Sequence, residues 1–198
     1  MRVLFFISAA ALVYAYFGYP IILWLAGHFW TESAASDSNQ PRAWPSVSVI
    51  VTVFNEQKAV AKKIDNFLTN GYPGNSEMIV VSDGSTDNTV EIISQFEGPR
   101  IRLIENRTRR GKDPTLEDAV RDSTGEILLF TDVGAIFADD ALEKLVRPFS
   151  DPNLGLVTGV ARYLGAESAG LYRRHEDWLK SLEARVGVLS GALGPMFA

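Results

Sequence analysis

The hydrophobic pattern divides the chain into an apolar N-terminal run and a longer part in which short apolar segments alternate with polar ones. From Val3 to Thr31 there is no Asp, Glu, Lys or Arg, and the run is rich in Leu, Ile, Phe, Tyr and Ala. As a helix, this run is about 42 Å long at about 1.5 Å per residue, whereas the hydrocarbon layer of a bilayer is about 30 Å thick. The pattern therefore predicts a transmembrane anchor over residues 1–31, in which Pro20 is expected to introduce a kink.

The alternative is a cleaved signal peptide, because "SAAS" at Ser33–Ser36 offers the small residues of a cleavage site. The apolar region of a signal peptide is usually about 7–15 residues long, which is much shorter than this run, so a retained anchor is favoured. Arg2 precedes the run and two acids follow it before Arg42. The positive-inside rule therefore weakly favours a cytoplasmic N-terminus.

Residues 32–45 are small, polar and interrupted by proline, which is typical of a linker. The globular part is expected to cover residues 46–198. Runs rich in β-branched and apolar residues predict strands that are buried in a sheet. The five predicted strands are Val47–Phe54, Glu77–Asp83, Arg100–Asn106, the run within "GEILLFTDVGAIF" (Gly125–Phe137), and Leu154–Leu164.

Helical periodicity occupies the segments between these strands. Asn55 can cap a first helix, and Ser85 or Thr86 can cap a second one. Pro114 stands at a permissible first-turn position of a third helix, and Asp139 and Asp140 favour the start of a fourth. The apolar positions that define their buried faces are Val60, Ile64, Phe67 and Leu68, then Val90, Ile93 and Phe96, then Leu116, Ala119 and Val120, and finally Leu142, Leu145, Val146 and Phe149.

Alternating strands and helices predict an α/β fold with a mostly parallel sheet flanked by helices. In such sheets, ligands bind beyond the carboxyl ends of the strands. Six residues with suitable chemistry fall at predicted strand ends: Asn55, Glu56, Asp83, Gly84, Ser85 and Asp132. This coincidence indicates a ligand-binding cleft at one edge of the sheet.

The segment around Asp83 offers the groups that a nucleotide needs. An ionised carboxylate only accepts hydrogen bonds, so Asp83 suits the N–H groups of a base or the hydroxyls of a ribose. Gly84 lets a ligand approach the backbone. The alternative interpretation is that "SDGSTDNT" forms only a turn and a helix cap.

The strand that ends on Asp132 indicates a metal or ligand contact, but Gly134 has no side-chain oxygen to assist it. A divalent cation that bridges a diphosphate usually takes several hard oxygen ligands from protein, substrate and water. The basic segment Arg107–Lys112 could neutralise a diphosphate, or it could form a solvated loop. The alternative interpretation of Asp132 is that its side chain only caps the loop before Asp139.

The composition narrows the classes of function. The chain has 198 residues, no cysteine and a formal net charge of −5. The absence of cysteine excludes disulfides, thiolate nucleophiles and Cys-based zinc sites, and the mild acidity argues against nucleic-acid binding. Neither a dinucleotide fingerprint nor a P-loop occurs in the sequence. His28 lies in the apolar run and His175 in a predicted helix, so no nucleophilic triad suggests itself.

The segment Glu167–Leu189 is amphipathic, with leucines and Trp178 near one stripe and basic residues elsewhere. Tryptophan beside basic residues can indicate a helix that lies at a membrane surface. Because acids are interspersed, a helix packed on the sheet is an equally good interpretation.

The ordered motifs of the chain resemble those of the family-2 glycosyltransferases. These motifs are "VSVIVTVFNE", "VVSDGSTDNT", "RRGK" and "GEILLFTDVGAIFADDAL", followed by "LYRRHEDWLKSLEARVG" and "SGALGPMFA". The last two are similar to those of membrane-anchored, processive-type members. The resemblance covers nearly the whole chain, is specific at family level and does not identify the sugar.

The resemblance implies a nucleotide-sugar transferase fold of the GT-A type. It also implies transfer of a sugar from a UDP- or GDP-linked donor, usually with inversion, to a polysaccharide, a lipid or another acceptor. Bacterial members place the transferase domain in the cytoplasm, where nucleotide sugars are, so the globular domain is expected there behind a single membrane span.

By motif match, Glu56 and Asp83 would contact the nucleoside of the donor, and Lys112 would line the same cleft. Asp132 would be the first acid of the D-x-D motif of the family, a ligand for Mg²⁺ or Mn²⁺. The candidate donor-binding residues are Phe54, Asn55, Glu56, Asp83, Gly84, Ser85, Lys112 and Asp132.

The chain departs from the family pattern at three places. Gly134 replaces the second acid of D-x-D, and Glu117 stands where the family often has Asn. The catalytic base and the Q-x-x-R-W motif are expected after Ala198, and the pair Glu176–Asp177 comes before that point. The chain is therefore expected to be the donor-binding, N-terminal part of a glycosyltransferase, with its catalytic residues unassigned. The alternative is a non-catalytic binding protein or an inactive fragment.

Overall fold

The structure is a computed structural model that describes residues 1–29, 43–159, 171–187 and 196–198. These residues belong to two compact units, one formed by 1–29 with 171–187 and the other by 43–159 with 196–198. Most of the predicted linker, 32–45, lies outside the described residues.

The N-terminal unit begins with a continuous helical rod. Helix α1 (Arg2–Val13) passes into a π-helical turn (Tyr14–Gly18) and then into α2 (Tyr19–Phe29). The rod from Arg2 to Phe29 has 28 residues and is long and apolar enough to cross a membrane. A signal sequence near the N-terminus meets the same criteria of length and composition.

The rod changes its hydrogen-bond pattern directly before Pro20. The backbone N–H of Tyr19 donates to the carbonyl of Tyr14, five residues earlier, which is the π-helical spacing. Proline has no N–H to donate, so a departure from regular α-helical pairing at this point is expected. A π-helical turn thus lies directly before Pro20, and such turns are a common cause of bending in helices. The kink at Pro20 stays a prediction.

The second unit is built around a five-stranded sheet with the order β3-β2-β1-β4-β5. Its strands are β1 (Val47–Val53), β2 (Ser76–Asp83), β3 (Ile101–Asn106), β4 (Ile127–Thr131) and β5 (Met196–Phe197). The first four are parallel, whereas β5 pairs with β4 in the antiparallel direction. This confirms the predicted α/β fold with a mostly parallel sheet.

Helices and single turns connect the strands. They are α3 (Val60–Leu68), α4 (Thr89–Ser94), α5 (Lys112–Asp122), α6 (Ala141–Val146) and a 3₁₀ turn (Arg147–Ser150). The last helix, α7 (Leu171–Arg185), belongs to the N-terminal unit. All four helices predicted between the strands are present, with ends that differ by a few residues from the apolar patterns.

The core follows the period-two alternation of the strands. In β1, the odd-numbered valines from Val47 to Val53 face a large apolar cluster that also holds Ile64 and Phe67 of α3. Ile50 faces the other side, where it packs with Ile79 and neighbours on α5. Because both faces are covered, the β-branched runs are almost continuous, as in other parallel sheets.

Two predicted helix caps are wrong. Helix α3 begins after Ala59, not after Asn55, and α4 begins after Asn88, not after Ser85 or Thr86. Asn55 instead adopts a left-handed conformation with φ of 56°. It and Ser85 are engaged in contacts between two loops, so a short polar residue near a helix start has another use here than capping.

The strand predicted over Leu154–Leu164 is only partly described. Within 154–159, Val157 and Ala198 exchange backbone hydrogen bonds of 2.8 Å, and Thr158 forms an isolated bridge with Phe197. This segment pairs with β5 but forms no longer strand in its described part, and residues 160–164 lie outside the described ranges.

Gly125 provides a test of the sheet packing at the amino ends of the strands. A Cβ at this position would lie 2.3 Å from the backbone nitrogen of Ser48 and 2.7 Å from the carbonyl carbon of Val47. Both atoms belong to the central strand and cannot move independently. We expect Gly125→Ala to lower the free energy of unfolding by about 1–3 kcal/mol, the usual cost of overpacking, measured by chemical denaturation in detergent micelles.

Gly71→Ala is the matched control, because a Cβ at Gly71 would have nothing within 4 Å. Its unfolding free energy should stay within about 0.5 kcal/mol of the wild-type value. Equal stability of the two variants would contradict the packing described for Gly125.

Candidate functional site

Two loops meet at the carboxyl ends of the adjacent strands β1 and β2. The backbone N–H of Asn55 donates to the hydroxyl of Ser85 at 3.2 Å, and the Asn55 side-chain oxygen accepts from the N–H of Thr86 at 2.8 Å. Further along, the N–H of Glu56 donates to the Thr89 hydroxyl at 2.8 Å. The positive φ of Asn55 directs its amide towards the neighbouring loop, and asparagine is among the few side chains that tolerate it.

Asp83, the last residue of β2, holds a third loop. Only 7% of the residue is exposed, and its two carboxylate oxygens accept the backbone N–H groups of Arg110 at 2.8 Å and Gly111 at 2.9 Å. Burial raises the pKa of the Asp83 carboxyl, but these two donors and the hydroxyl of Thr115 outweigh it, so the pKa lies below its usual value. Asp83 is therefore an anion bound by the β3–α5 loop.

The same loop explains why residue 84 is a glycine. A Cβ at Gly84, where φ is 73°, would lie 2.7 Å from the backbone nitrogen of Arg109 and 2.9 Å from the carbonyl carbon of Thr108. The sequence predicted that a ligand would approach the backbone at Gly84. In the structure, the backbone of residues 108–109 takes that place.

The basic residues of the β3–α5 loop have different surroundings. The guanidinium carbon of Arg109 lies 4.1 Å from the ring centroid of Phe54, a cation–π contact with the end of β1. Arg110 pairs with Asp118 of α5 at 2.5 Å. The loop is therefore attached to the sheet edge by Asp83, Phe54 and α5, rather than being simply solvated.

Lys112 and Asp132 face each other across the carboxyl edge of the sheet. The ammonium nitrogen of Lys112 lies 3.6 Å from Oδ1 of Asp132, and both side chains are more than half exposed, at 67% and 61%. The pair brings together one residue from the loop after β3 and one from the end of β4, although β2 and β1 lie between these strands. An exposed pair of this kind is weak by itself, so both side chains are available to a charged ligand.

The described part of the chain contains no cluster of three or more His, Cys, Asp or Glu side chains that could hold a metal. At the end of β4, Asp132 could contribute an exposed carboxylate to a metal ion. A Cβ at Gly134 would meet nothing within 4 Å, and Gly134 is not among the glycines with positive φ. A second acid could therefore be accommodated two residues after Asp132 without strain.

A buried lysine that was not predicted from the sequence lies behind this edge. Lys63 of α3 has no exposed surface, and its ammonium donates to the Thr131 hydroxyl at 3.1 Å and to the Ala135 carbonyl at 2.5 Å. The ammonium also lies 3.7 Å from the ring centroid of Phe137. Lys63 thus holds both sides of the turn that carries Asp132.

The environment of Lys63 changes its acidity. Burial lowers the pKa of the Lys63 ammonium to about 7, and the negative charge of Asp132 opposes this shift in part. The sequence contains one signal for this position, because Lys63 lies three residues after Val60 and four before Phe67, on the buried stripe of α3. A lysine on such a stripe must find polar partners in the interior.

The predicted site residues lie at the same edge of the sheet. Phe54, Asn55 and Ser85 are linked through the loops around them, and Lys112 reaches Asp132. Asp83 and Gly84, however, contact the β3–α5 loop, so their roles towards a ligand remain predictions. The arrangement combines backbone groups, one exposed carboxylate and exposed lysine and arginine side chains, which suits a phosphorylated ligand of the nucleotide class.

The chain belongs to the family described as "Glycosyl transferase family 2", whose sequence profile matches residues 48–191. It is 30% identical over 118 residues to a poly-beta-1,6-N-acetyl-D-glucosamine synthase of Staphylococcus epidermidis, covering 59% of this chain and 28% of the relative. It is 34% identical over 140 residues to an N-acetylglucosaminyltransferase of Bradyrhizobium elkanii, covering 68% of this chain and 72% of the relative. The predicted family is confirmed, and these relatives resemble the chain as glycosyltransferases.

A solved structure supports the same fold. The mannosyltransferase PcManGT from Pyrobaculum calidifontis, in complex with GDP-Man and Mn²⁺, superposes with a TM-score of 0.70 at 32% sequence identity. The match covers 89% of this chain and 50% of that protein. The chain thus spans half of this neighbour and less than a third of the staphylococcal synthase.

The shifted pKa of Lys63 predicts a pH-dependent stability. The pKa of Lys63 is about 7 in the folded chain, whereas its ordinary value, taken for the unfolded chain, is 10.5. Between pH 7 and pH 10.5 the unfolded chain therefore binds more protons than the folded chain, so the free energy of unfolding increases as pH rises. Relative to Lys63→Met, the unfolding free energy of the wild type should increase by about 2 kcal/mol from pH 7 to pH 9, since one pKa unit corresponds to about 1.4 kcal/mol. Denaturant titrations in micelles at both pH values measure this difference.

Lys62→Met serves as the control, because the neighbouring Lys62 is exposed. Its stability difference from the wild type should not change with pH. If the Lys63→Met difference is equally independent of pH, Lys63 is not buried as described.

Proposed function

We propose that this chain is the donor-binding part of a membrane-anchored glycosyltransferase. The enzyme would transfer a sugar, with inversion, from a nucleoside-diphosphate sugar to a polysaccharide, a lipid or another acceptor. The observation that carries the proposal is the contact of Lys112 with Asp132 at the carboxyl edge of a parallel sheet, in a chain of this family. Ligands of open α/β sheets bind at this edge.

The loops after β1 and β2 are proposed to hold the nucleoside. Their mutual hydrogen bonds fix the backbone at Asn55 and Ser85 before any ligand arrives. A preformed site loses less conformational freedom on binding than a flexible one. Glu56 would offer its carboxylate to the nucleoside, since it follows directly on this fixed backbone.

Asp83 is proposed to act mainly by holding the β3–α5 loop in place. Its carboxylate oxygens already accept two backbone N–H groups, although each oxygen has a further lone pair for a ligand. The loop that it binds carries Arg109 and leads into Lys112, the cationic groups that would face the diphosphate. Replacement of Asp83 would therefore disturb the loop and the nucleoside contact together, so it is a poor probe of either.

Asp132 is proposed to bind the cation that accompanies the diphosphate. A carboxylate is a suitable ligand for Mg²⁺ or Mn²⁺, and such ions retain several waters and rely on substrate phosphates with only one or two carboxylates. The cation would neutralise charge on the leaving diphosphate. Lys112 would exchange its contact with Asp132 for one with a phosphate oxygen.

The named relatives support the substrate classes. The neighbouring mannosyltransferase structure contains GDP-Man and Mn²⁺, which supports a nucleoside-diphosphate sugar and a divalent cation here. The curated relatives include poly-beta-1,6-N-acetyl-D-glucosamine synthases, which supports a polysaccharide as acceptor. The apolar rod Arg2–Phe29 supports a membrane location. The sheet domain is proposed to lie on the cytoplasmic side because nucleotide sugars are there, as the family resemblance implies.

Cation binding should depend on the nucleotide. We expect Mn²⁺ to bind the wild type weakly alone and at least about tenfold more tightly with GDP or UDP, a difference of about 1.4 kcal/mol. Asp132→Ala should abolish the nucleotide-dependent part, because it removes the carboxylate ligand. Gly134→Asp should strengthen binding, because a side chain fits there without a clash. Calorimetry with and without each nucleotide measures these affinities.

Asp139→Ala is the matched control, since Asp139 is an exposed aspartate that lies, like Asp132, between β4 and α6. It should bind Mn²⁺ and nucleotide as the wild type does. A wild type that binds neither nucleotide would contradict the donor-binding proposal, whereas nucleotide binding that is unchanged in Asp132→Ala would contradict only the role of Asp132.

The membrane location has a separate test. Because the run from Val3 to Thr31 has no charged residue, the chain should stay in membranes after alkaline carbonate washing. Release of the protein into the soluble fraction with a new N-terminus near Ala35 would show that the run is a cleaved signal peptide.

A further inference from the structure

Helix α7 packs against α2 in the N-terminal unit. The ring of His175 stacks on that of Tyr16 with centroids 5.7 Å apart, and the hydroxyl of Tyr19 donates to a carboxylate oxygen of Glu183 at 2.9 Å. Glu183 is only 3% exposed, so this hydrogen bond lies inside the contact. A polar contact of this kind in the interior specifies how two helices align.

The two helices run in the same direction. The contacts pair Tyr16 with His175 near one end, whereas near the other end a Cβ at Gly27 would lie 3.8 Å from the Cβ of Arg185. Helix α7 therefore lies alongside the rod from Tyr16 to Gly27.

The rod has different surroundings in its two halves. None of the residues of α1 is buried. In α2, Pro20 and Leu23 are buried, and Gly27 continues the same stripe towards α7. The other face of α2 exposes large apolar side chains, namely Ile21, Ile22, Trp24, Leu25 and Phe29. Helix α1 can thus be surrounded by lipid on all sides, whereas α7 covers one face of α2.

The charges of α7 limit how deep this contact can lie. Glu176 and Lys180 form an ion pair of 3.0 Å on its surface, and Asp177 and Arg185 are exposed. Ionised side chains are costly in the hydrocarbon layer and are rare there. If residues 16–27 of the rod were inside that layer, these four side chains would be carried into it.

We propose that α2 and α7 form a helix pair that projects from the hydrocarbon layer into the lipid headgroup region, so that only residues 2–15 enter the hydrocarbon. The inference rests on the proposed membrane location and adds the depth at which the rod sits. The helix pair α2–α7 is proposed to contact the lipid headgroup region. Trp178 of α7, 47% exposed, and Trp24 of α2, 57% exposed, are the aromatic anchors, since tryptophan prefers the interface between lipid and water.

The inserted part is short. Residues 2–15 cover about 21 Å at 1.5 Å per residue, against a hydrocarbon layer of about 30 Å. Local thinning of the bilayer accommodates such a mismatch at modest cost. Arg2 can extend its charged end towards the opposite headgroups.

The first test asks whether α7 lies on α2 in the membrane. The natural chain has no cysteine, and the distance of 3.8 Å between the Cβ positions of residues 27 and 185 is close to the mean for a disulfide. Gly27→Cys/Arg185→Cys should form an intramolecular disulfide in native membranes. The control pair Ile22→Cys/Arg185→Cys should not, because Ile22 is 51% exposed on the other face.

The second test measures depth with one fluorophore on Ala10→Cys or on Ile21→Cys, quenched by lipids that carry spin labels at the headgroup or along the acyl chain. If residues 2–29 spanned the membrane symmetrically, both positions would lie about 8 Å from the bilayer centre. With residues 2–15 inserted, Ala10 would lie about 2 Å and Ile21 about 19 Å from the centre. Both residues are exposed in the structure, so either can carry the label.

A disulfide at 27 and 185, together with stronger headgroup quenching at Ile21 than at Ala10, supports the proposal. Equal quenching at the two positions, or no disulfide in the first pair, overturns it. Carbonate extraction of the same labelled variants separates these results from failure of the membrane location. A protein that remains in washed membranes but shows equal quenching is anchored, but with a full-length span.

Discussion

The carboxylate of Asp83 is the contact on which the arrangement of the candidate site depends. It accepts two backbone N–H groups from the loop after β3, and Gly84 gives the same loop room to approach. Charge-assisted hydrogen bonds to backbone donors are stronger than neutral ones, so the anion can hold a loop rich in positive charge. This places Arg109 over Phe54 and Lys112 beside Asp132.

The charges around Asp132 are balanced differently from those of a site with two acids. Gly134 supplies no carboxylate, whereas Lys63 places a buried ammonium under the turn, bonded to Thr131 and Ala135. A single acid with a cation behind it attracts a divalent ion less strongly than two acids would. The phosphates of a nucleotide would then have to supply the remaining negative charge, which is the reason for expecting nucleotide-dependent cation binding.

Several features were predictable because they depend on local pattern. The β-branched run at Val47–Val53 predicted a strand buried on both faces, and the apolar run at Ile127–Thr131 predicted a buried strand. Their alternation with helices predicted the parallel sheet. The caps at Asn55 and Ser85 were wrong because short polar side chains serve loop contacts as readily as helix starts. Lys63 was overlooked because a lysine on an apolar stripe becomes informative only when its interior partners are known.

The sequence by itself determined the charge-free helix, the order of strands and helices, and the collection of polar residues at strand ends. These follow from hydrophobic periodicity and residue type, which act over a few neighbours. Only the tertiary structure decided that Asp83 binds the chain's own backbone, that Lys112 reaches Asp132, and that α7 lies along α2. Each of these contacts joins residues distant in sequence, and sheet order and side-chain packing set their distances, which no local pattern encodes.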